Sequence, residues 1–214
     1  MNFSAINLEA LNQAPLVETP FPYVLIPNLV NPHLMSGILA AFPEIEQGGS
    51  FPITSKTAQG DLATLVSELE SAEFRTAISK KLGMDLGDRA PMITLRGYSR
   101  AKDGQIHTDS KSKLVTLLIY LNPDWDVKTG RLRLLYDGEH LEPYAAEIPP
   151  TFGSSVIFRV TDNCWHGYEA FTGTRRSLQL NYMASAEQAR RHVLLHRLSA
   201  WVKKHSRGQT PKDL

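Results

Sequence analysis

The 214-residue chain is long enough for one domain with a full hydrophobic core, and its 42% hydrophobic content is ordinary for a water-soluble globule. A formal net charge of +1 gives no global attraction to nucleic acid or to a membrane surface, and the single cysteine, Cys164, rules out an intrachain disulfide and fits a reducing compartment. No basic start followed by an apolar run opens the chain, and no apolar run approaches the roughly 20 residues of a spanning helix, so a cytoplasmic protein without a leader is expected.

Residues 1–20 are mixed and contain Pro15 and Pro20, which suggests a lead-in with at most a short strand or turn. Tyr23 to Ile26 is a β-type run with Pro at both ends, hence an edge strand. Asn31 and Pro32 suit an N-cap and first helical position, and Leu34, Ile38, Ala41 and Phe42 recur at helical spacing before Pro43. A longer helix is predicted from Asp61 as its cap, through Leu62, Leu65, Leu69, Phe74, Ile78 and Leu82, with a break near Ser71 and Gly83 as C-cap. After Pro91 the period becomes strand-like. Strands are predicted over Met92 to Arg100, Leu114 to Leu121, Arg131 to Tyr136, Ser155 to Val160 and Arg175 to Met183. The run Leu114 to Leu121 is almost continuously apolar, the mark of a strand covered on both faces. His166 falls in a turn region. From Ala186 to His205 the pattern is helical again. Helices, then a series of short strands, then one helix give an α+β class with a β-sandwich or jelly-roll core.

The chemistry concentrates at His107-Thr108-Asp109. In an extended segment residues i and i+2 share a face, so this imidazole and carboxylate point the same way. A second histidine, His166, completes two His and one carboxylate. That set occupies one face of an octahedral metal and leaves positions open, as in non-haem Fe(II) oxygenases. Arg175-Arg176, shortly after His166, offers a planar fork for a carboxylate. Taken singly, each of the seven histidines is more often a surface or satisfied core residue than a ligand; the combination carries the signal. His192 and His196 are spaced like half a zinc site, but no third ligand is near and Arg190, Arg191 and Arg197 disfavour a cation.

Gly104-Gln105-Ile106-His107-Thr108-Asp109, the strand ending Tyr120-Leu121-Asn122, the Asp124-Trp125 turn, Gly130 before the next strand, Phe158, His166 and Gly173-Thr174-Arg175-Arg176-Ser177 stand in one order. In these residues the chain resembles the 2-oxoglutarate- and Fe(II)-dependent dioxygenases, specifically the prolyl-4-hydroxylase-like branch. Two departures are Thr129-Gly130 for the usual Gly-Gly, and Tyr168-Glu169-Ala170-Phe171 for the usual Val-x-Pro-Val. The resemblance implies a double-stranded β-helix (jelly-roll) core over about 91–184, N-terminal helices over about 28–84, and a C-terminal helix over about 186–205, all in one domain. It implies Fe(II) held by His107, Asp109 and His166, and 2-oxoglutarate as cosubstrate, with ascorbate as a further candidate. The outcome would be hydroxylation of a substrate C–H with release of succinate and CO2.

The same resemblance puts an arginine on the far carboxylate of 2-oxoglutarate. Arg175 and Arg176 point to opposite faces of a strand; Arg175, inward alongside Ser177, is favoured. Tyr120 would hydrogen-bond that carboxylate; the alternative is a core tyrosine bonded to a backbone carbonyl. Arg96, Tyr98 and Arg100 share a face on the preceding strand, and Tyr98 is expected to enter the pocket, the alternative being a solvated stripe. Cys164 reads as a small buried thiol. Retention of Asp109 argues against a halogenase variant. A second functional class stays open, a catalytically silent jelly-roll relative acting as a binding module. The substrate, a peptide side chain of prolyl type, a free amino acid or a sugar metabolite, is not encoded in any motif of the loops 48–60, 103–112 and 161–174. No nucleic-acid or membrane partner is expected, and no oligomeric state is implied.

Overall fold

The structure, a computed structural model, describes residues 4–185. Its first helix, α1 (Leu8–Gln13), falls in what the sequence suggested was a lead-in. Six residues are too few to show a period. The helix is held by the Asn7 side chain, which accepts from the Ala10 N–H, and by Lys81 Nζ, which donates to the carbonyls of Asn12 and Ala14 at its other end. The edge strand β1 (Tyr23–Ile26) follows. Asn31 caps a 3-10 turn over Pro32–Leu34 that leads into α2 (Met35–Ala41). A two-residue strand, β2 (Phe51–Pro52), was not predicted.

The long helix is two helices, α3 (Gly60–Leu69) and α4 (Ala72–Leu82), broken where Ser71 accepts from the Phe74 N–H at 3.1 Å. Gly83 closes α4 in the left-handed conformation at φ 61°. The N-cap of α3 is Gln59 rather than Asp61; Asp61 lies in the first turn, where a negative charge suits the helix dipole. Leu62, Leu65, Val66 and Leu69 of α3 and Phe74, Ile78 and Leu82 of α4 form the buried stripes.

The remaining strands are β3 (Met92–Ser99), β4 (Lys113–Tyr120), β5 (Leu132–Leu135), β6 (Tyr144–Ile148), β7 (Ser155–Arg159), β8 (His166–Gly167) and β9 (Gly173–Met183). They pair antiparallel into a six-stranded sheet in the order β1-β7-β4-β9-β3-β2 and a three-stranded sheet in the order β6-β5-β8. This is the expected jelly-roll α+β architecture. β6 escaped the sequence reading because Tyr-Ala-Ala-Glu-Ile alternates weakly; it is held by its ladder to β5 and by the Arg133–Glu147 ion pair at 2.9 Å. The predicted C-terminal helix, 186–205, lies outside the described residues.

The strand β4 explains its own composition. Val115, Leu117 and Ile119 pack into the larger core with the helices, while Tyr120 belongs to the core between the two sheets, and Thr116 and Leu118 share its face. Both faces are covered, so the strand cannot alternate polar and apolar. Among the described residues no helix is long and apolar enough to cross a membrane.

Leu117 is fully buried on the helix side, so Leu117→Ala should cost about 2–5 kcal/mol through lost burial and the cavity left behind. Urea unfolding should show a lower midpoint with an unchanged slope; a midpoint equal to that of the unsubstituted protein would mean the site collapses around the smaller side chain.

Candidate active site

The site begins with a backbone bridge. The His107 N–H donates to the His166 carbonyl and the His166 N–H to that of His107, each at 3.0 Å, so the two residues face each other as an antiparallel pair. Residues opposite each other across such a bridge put their side chains on one face. The two imidazoles accordingly lie 4.3 Å apart, centroid to centroid. His166, expected in a turn, is thus in the short strand β8. The close approach needs small residues: a Cβ on Gly104 would lie 2.4 Å from the Tyr168 carbonyl oxygen.

Asp109 follows two residues after His107 and completes the group. One ligand atom from each of His107, Asp109 and His166 lies within 4.8 Å of the others. His107 Nδ1 donates to the Gln105 carbonyl and His166 Nδ1 to the Cys164 carbonyl, both at 2.8 Å. A carbonyl oxygen only accepts, so the hydrogen sits on Nδ1 and Nε2 is left as the ligating nitrogen. Burial, then the neighbouring His107, push the His166 pKa down to about 4, so this ring is neutral at pH 7, as a metal ligand must be. Asp109 accepts from Lys113 Nζ at 2.7 Å and from the Thr116 hydroxyl. Burial opposes its ionisation, but the charge of Lys113, that of His166 once it is protonated in the acid range, and the two hydrogen bonds outweigh it and hold the carboxyl below its ordinary value. Two imidazole nitrogens and one ionised carboxylate are a donor set that fits Fe(II).

The triad shares one cavity of about 200 Å³ with Tyr120, Arg175 and Ser177. Arg175 is buried, and no carboxylate lies within ion-pair distance of it among the described residues. Its Nε donates to the Gly130 carbonyl at 2.8 Å, an Nη donates to the Tyr120 hydroxyl at 3.1 Å, and its guanidinium stacks over the rings of Tyr168 (4.2 Å) and Tyr120 (4.9 Å). Burial raises the Tyr120 pKa against the pull of Arg175, so its hydroxyl keeps a hydrogen to donate while it accepts from the arginine. The motif residues outside the cavity hold this arrangement. Asn122 accepts from the Arg176 N–H at 2.8 Å and donates to its carbonyl at 3.1 Å, clamping β9 beside Arg175. Gly130 sits at φ 77° under Trp125, whose ring would be 2.8 Å from a Cβ there, and so delivers its carbonyl to Arg175.

Arg176 lies on the other side of β9, over the Phe42 ring at 6.0 Å, in a separate cavity. Tyr98 lines that second cavity too and does not enter the first, which corrects the expectation for it. The reason is an irregularity in the β3–β9 ladder. Arg96 pairs with Ser177 but Tyr98 with Thr174, so the parity that places Met92, Thr94 and Arg96 in the cavity does not extend to Tyr98. Cys164 is buried in the core between the sheets. Lys113, Thr116 and Tyr168 are site residues that the sequence did not single out, and Arg96, rather than its strand neighbour Tyr98, is the one of that predicted face that lines the cavity. Thr116 shares the face of Tyr120 at i and i+4, a signal that was available; Lys113 and Tyr168 gave none.

Residues 94–183 match the family model of the 2OG-Fe(II) oxygenase superfamily. That segment and the His-Asp-His group support a 2-oxoglutarate-dependent Fe(II) dioxygenase, with Fe(II) and 2-oxoglutarate as the cofactor set that the family implies. Its fold is that of the prolyl-4-hydroxylase-like branch. A prolyl-4-hydroxylase of Pseudomonas putida is 18% identical with a TM-score of 0.57, over 84% of this chain and 97% of that one. A prolyl 4-hydroxylase of Phytophthora capsici is 17% identical with a TM-score of 0.58, over 85% of this chain but only 64% of that one, so the chain spans less than two thirds of that relative. A viral collagen prolyl hydroxylase of Paramecium Bursaria Chlorella virus-1, solved with 2-oxoglutarate, is 15% identical with a TM-score of 0.55, over 76% and 96%. No curated protein matches the sequence.

The lowered His166 pKa sets a pH dependence for the metal-free protein. An unfolded histidine takes up a proton near 6.5, whereas folded His166 does so only near 4. Between these values the unfolded state binds more protons, so stability falls as pH falls through this window. The full displacement is worth roughly 3 kcal/mol. Asp109, whose pKa is lowered, keeps its contribution until pH drops below the ordinary carboxylate range and does not blur the effect. Thermal melts of chelator-treated protein from pH 7 to 4 should show a slope that His166→Gln flattens; equal slopes in both proteins would contradict the burial account.

Proposed function

We propose that the protein hydroxylates an unactivated C–H of a peptide side chain, of prolyl type, or of a small metabolite, with release of succinate and CO2. The observation that carries the reading is the buried, anion-free Arg175 in the same cavity as the His107-Asp109-His166 group. A buried cation without a counter-ion is costly, and a dicarboxylate cosubstrate supplies the missing charge. The prolyl-hydroxylase likeness of the fold supports the peptide option; the modest cavity supports the metabolite option.

In this reading His107, Asp109 and His166 hold Fe(II), which with 2-oxoglutarate and oxygen supplies the oxidising chemistry: one oxygen atom enters the C–H and the other enters succinate. The chain's own work is binding and orientation. Arg175 receives the far carboxylate of 2-oxoglutarate in its planar fork, Tyr120 donates its hydroxyl hydrogen to the same group, and Ser177 lies beside them. Thr116 orients the Asp109 carboxylate. The Gln105 and Cys164 carbonyls fix the imidazole tautomers. The reading takes residues 1–214 as one oxygenase domain in the cytoplasm.

His107 is exposed, so His107→Ala opens no core; it should abolish Fe(II)- and oxygen-dependent succinate formation from 2-oxoglutarate while leaving the melting temperature near that of the parent. A variant with undiminished turnover would sink the assignment of His107 as a ligand.

Arg175→Lys keeps the charge but loses the fork, and should raise the KM for 2-oxoglutarate by about 10- to 100-fold, the range for losing a charged hydrogen bond. Arg176→Lys should leave that KM within about twofold. The reverse ranking would assign the cosubstrate to the other face of β9.

A further inference from the structure

The cavity contains one cation that the oxygenase reading does not use. Arg96 lines it from β3, half-buried, and its side chain makes no hydrogen bond or ion pair among the described residues. The other two cations there are committed. Lys113 Nζ is 2.7 Å from Asp109 Oδ1, and Arg175 bonds to Gly130 and Tyr120 at the cosubstrate end. The one further carboxylate in the lining, Asp103, feels the charge of Arg96 but makes no ion pair with it; it is held by Arg100 through Nη2 at 2.7 Å, Nε at 3.0 Å and the backbone N–H at 2.8 Å.

The wall beside Arg96 is polar. Thr94, Gln179 and Asn181 face the same cavity, with Arg96 opposite Ser177 and Thr94 opposite Gln179 across the β3–β9 ladder. Gln179 and Asn181 bond to each other at 3.3 Å, and Asn181 lies 3.0 Å from the Thr116 hydroxyl. Hydroxyl and amide groups of this kind suit a polar ligand better than an unadorned hydrocarbon ring. Closing such a cavity over an unpaired guanidinium is costly unless the ligand brings an anion, and the fork of an arginine matches a carboxylate or a phosphate at two points.

We propose that Arg96 anchors an acidic group on the substrate, which is therefore an anionic small molecule bearing a carboxylate or phosphate, oriented by that group so that a C–H elsewhere on it meets the iron site. This names the substrate class within the oxygenase reading above and rests on it. Arg96 is a specificity residue: it selects and orients what is oxidised.

The test uses the protein loaded with Fe(II) and 2-oxoglutarate under argon, titrated calorimetrically with matched pairs: glucose 6-phosphate and glucose, glycerol 3-phosphate and glycerol, and free L-amino acids and their amides. The acid-bearing member of at least one pair should bind at least about tenfold more tightly than its neutral partner, and on admitting oxygen it should stimulate succinate release. The phosphate pairs and the amino-acid pairs distinguish the two kinds of acid. Arg96→Gln should abolish the preference and Arg96→Lys should keep part of it, while the KM for 2-oxoglutarate in both variants stays within about threefold of the parent. The proposal is overturned if no acid-bearing member binds, if neutral members bind as well, if Arg96→Gln keeps the preference, or if that variant instead raises the KM for 2-oxoglutarate tenfold, which would make Arg96 part of the cosubstrate site. Failure of the oxygenase reading is seen separately, as absence of any 2-oxoglutarate turnover in the parent protein, since the binding measurement needs none.

Discussion

The structure around the site depends on the two backbone hydrogen bonds between His107 and His166. They join a loop that precedes β4 to a strand only two residues long in the smaller sheet, and so bring together side chains from distant parts of the chain. Neither segment has enough residues to define its own position. Each is located by the sheet it leaves or enters, and the glycines at 104 and 167 let the backbones approach. The ligand face is rigid because both imidazoles are also tethered through Nδ1 to carbonyls two residues before them, and because Asp109 is held by Thr116 on a central strand. Fixing three donors before an ion arrives removes the ordering cost that a flexible site would carry.

A second constraint is the burial of Arg175. A guanidinium removed from water without an anion needs other compensation. Here it comes from the Gly130 carbonyl, the Tyr120 hydroxyl and two aromatic faces. This is enough to keep the side chain ordered, and it leaves the charge available to an incoming carboxylate. Several motif residues that touch neither metal nor cosubstrate act here. Trp125 and Gly130 shape the turn that presents the carbonyl, and Asn122 ties the end of β4 to β9 one residue from the arginine. Their common task is to place one buried cation.

The two sheets divide the labour. The six-stranded sheet is covered on one side by the helices, where its core is aliphatic, and on the other by the cavity, where the same strands turn Thr116, Tyr120, Ser177 and Arg175 inward. The three-stranded sheet contributes β8 and, through Arg133 with Glu142, Glu147 and Glu169, a network of ion pairs that ties its loops down. A rigid wall on one side and polar, loop-rich surroundings on the other suit a site that binds a common cosubstrate and a particular substrate.

Much of this was legible in the chain itself. The fold class and the His-x-Asp pair with a distant histidine follow from short-range rules: side-chain alternation, helix caps and the composition of a strand covered on both faces; alternation also allows only one of Arg175 and Arg176 to face inward, and the family resemblance favours Arg175. Such rules act over a few residues and survive without knowledge of what lies opposite. The helix break at Ser71 and the cap at Gly83 are of the same kind. What only the tertiary structure decided involves pairing between strands. Tyr98 leaves the cavity because the β3–β9 ladder slips after Arg96, and a slip is a property of two strands together that the alternation of one cannot contain. Lys113 reaches back to Asp109 and Tyr168 lies against Arg175 only because the folded segments place them there, α1 is held by the distant Lys81, and β6 is held by its ladder to β5. The residue types carried the metal chemistry; which polar side chains surround it, and which cation is left without an anion, was settled by the register of three neighbouring strands, β4, β9 and β3.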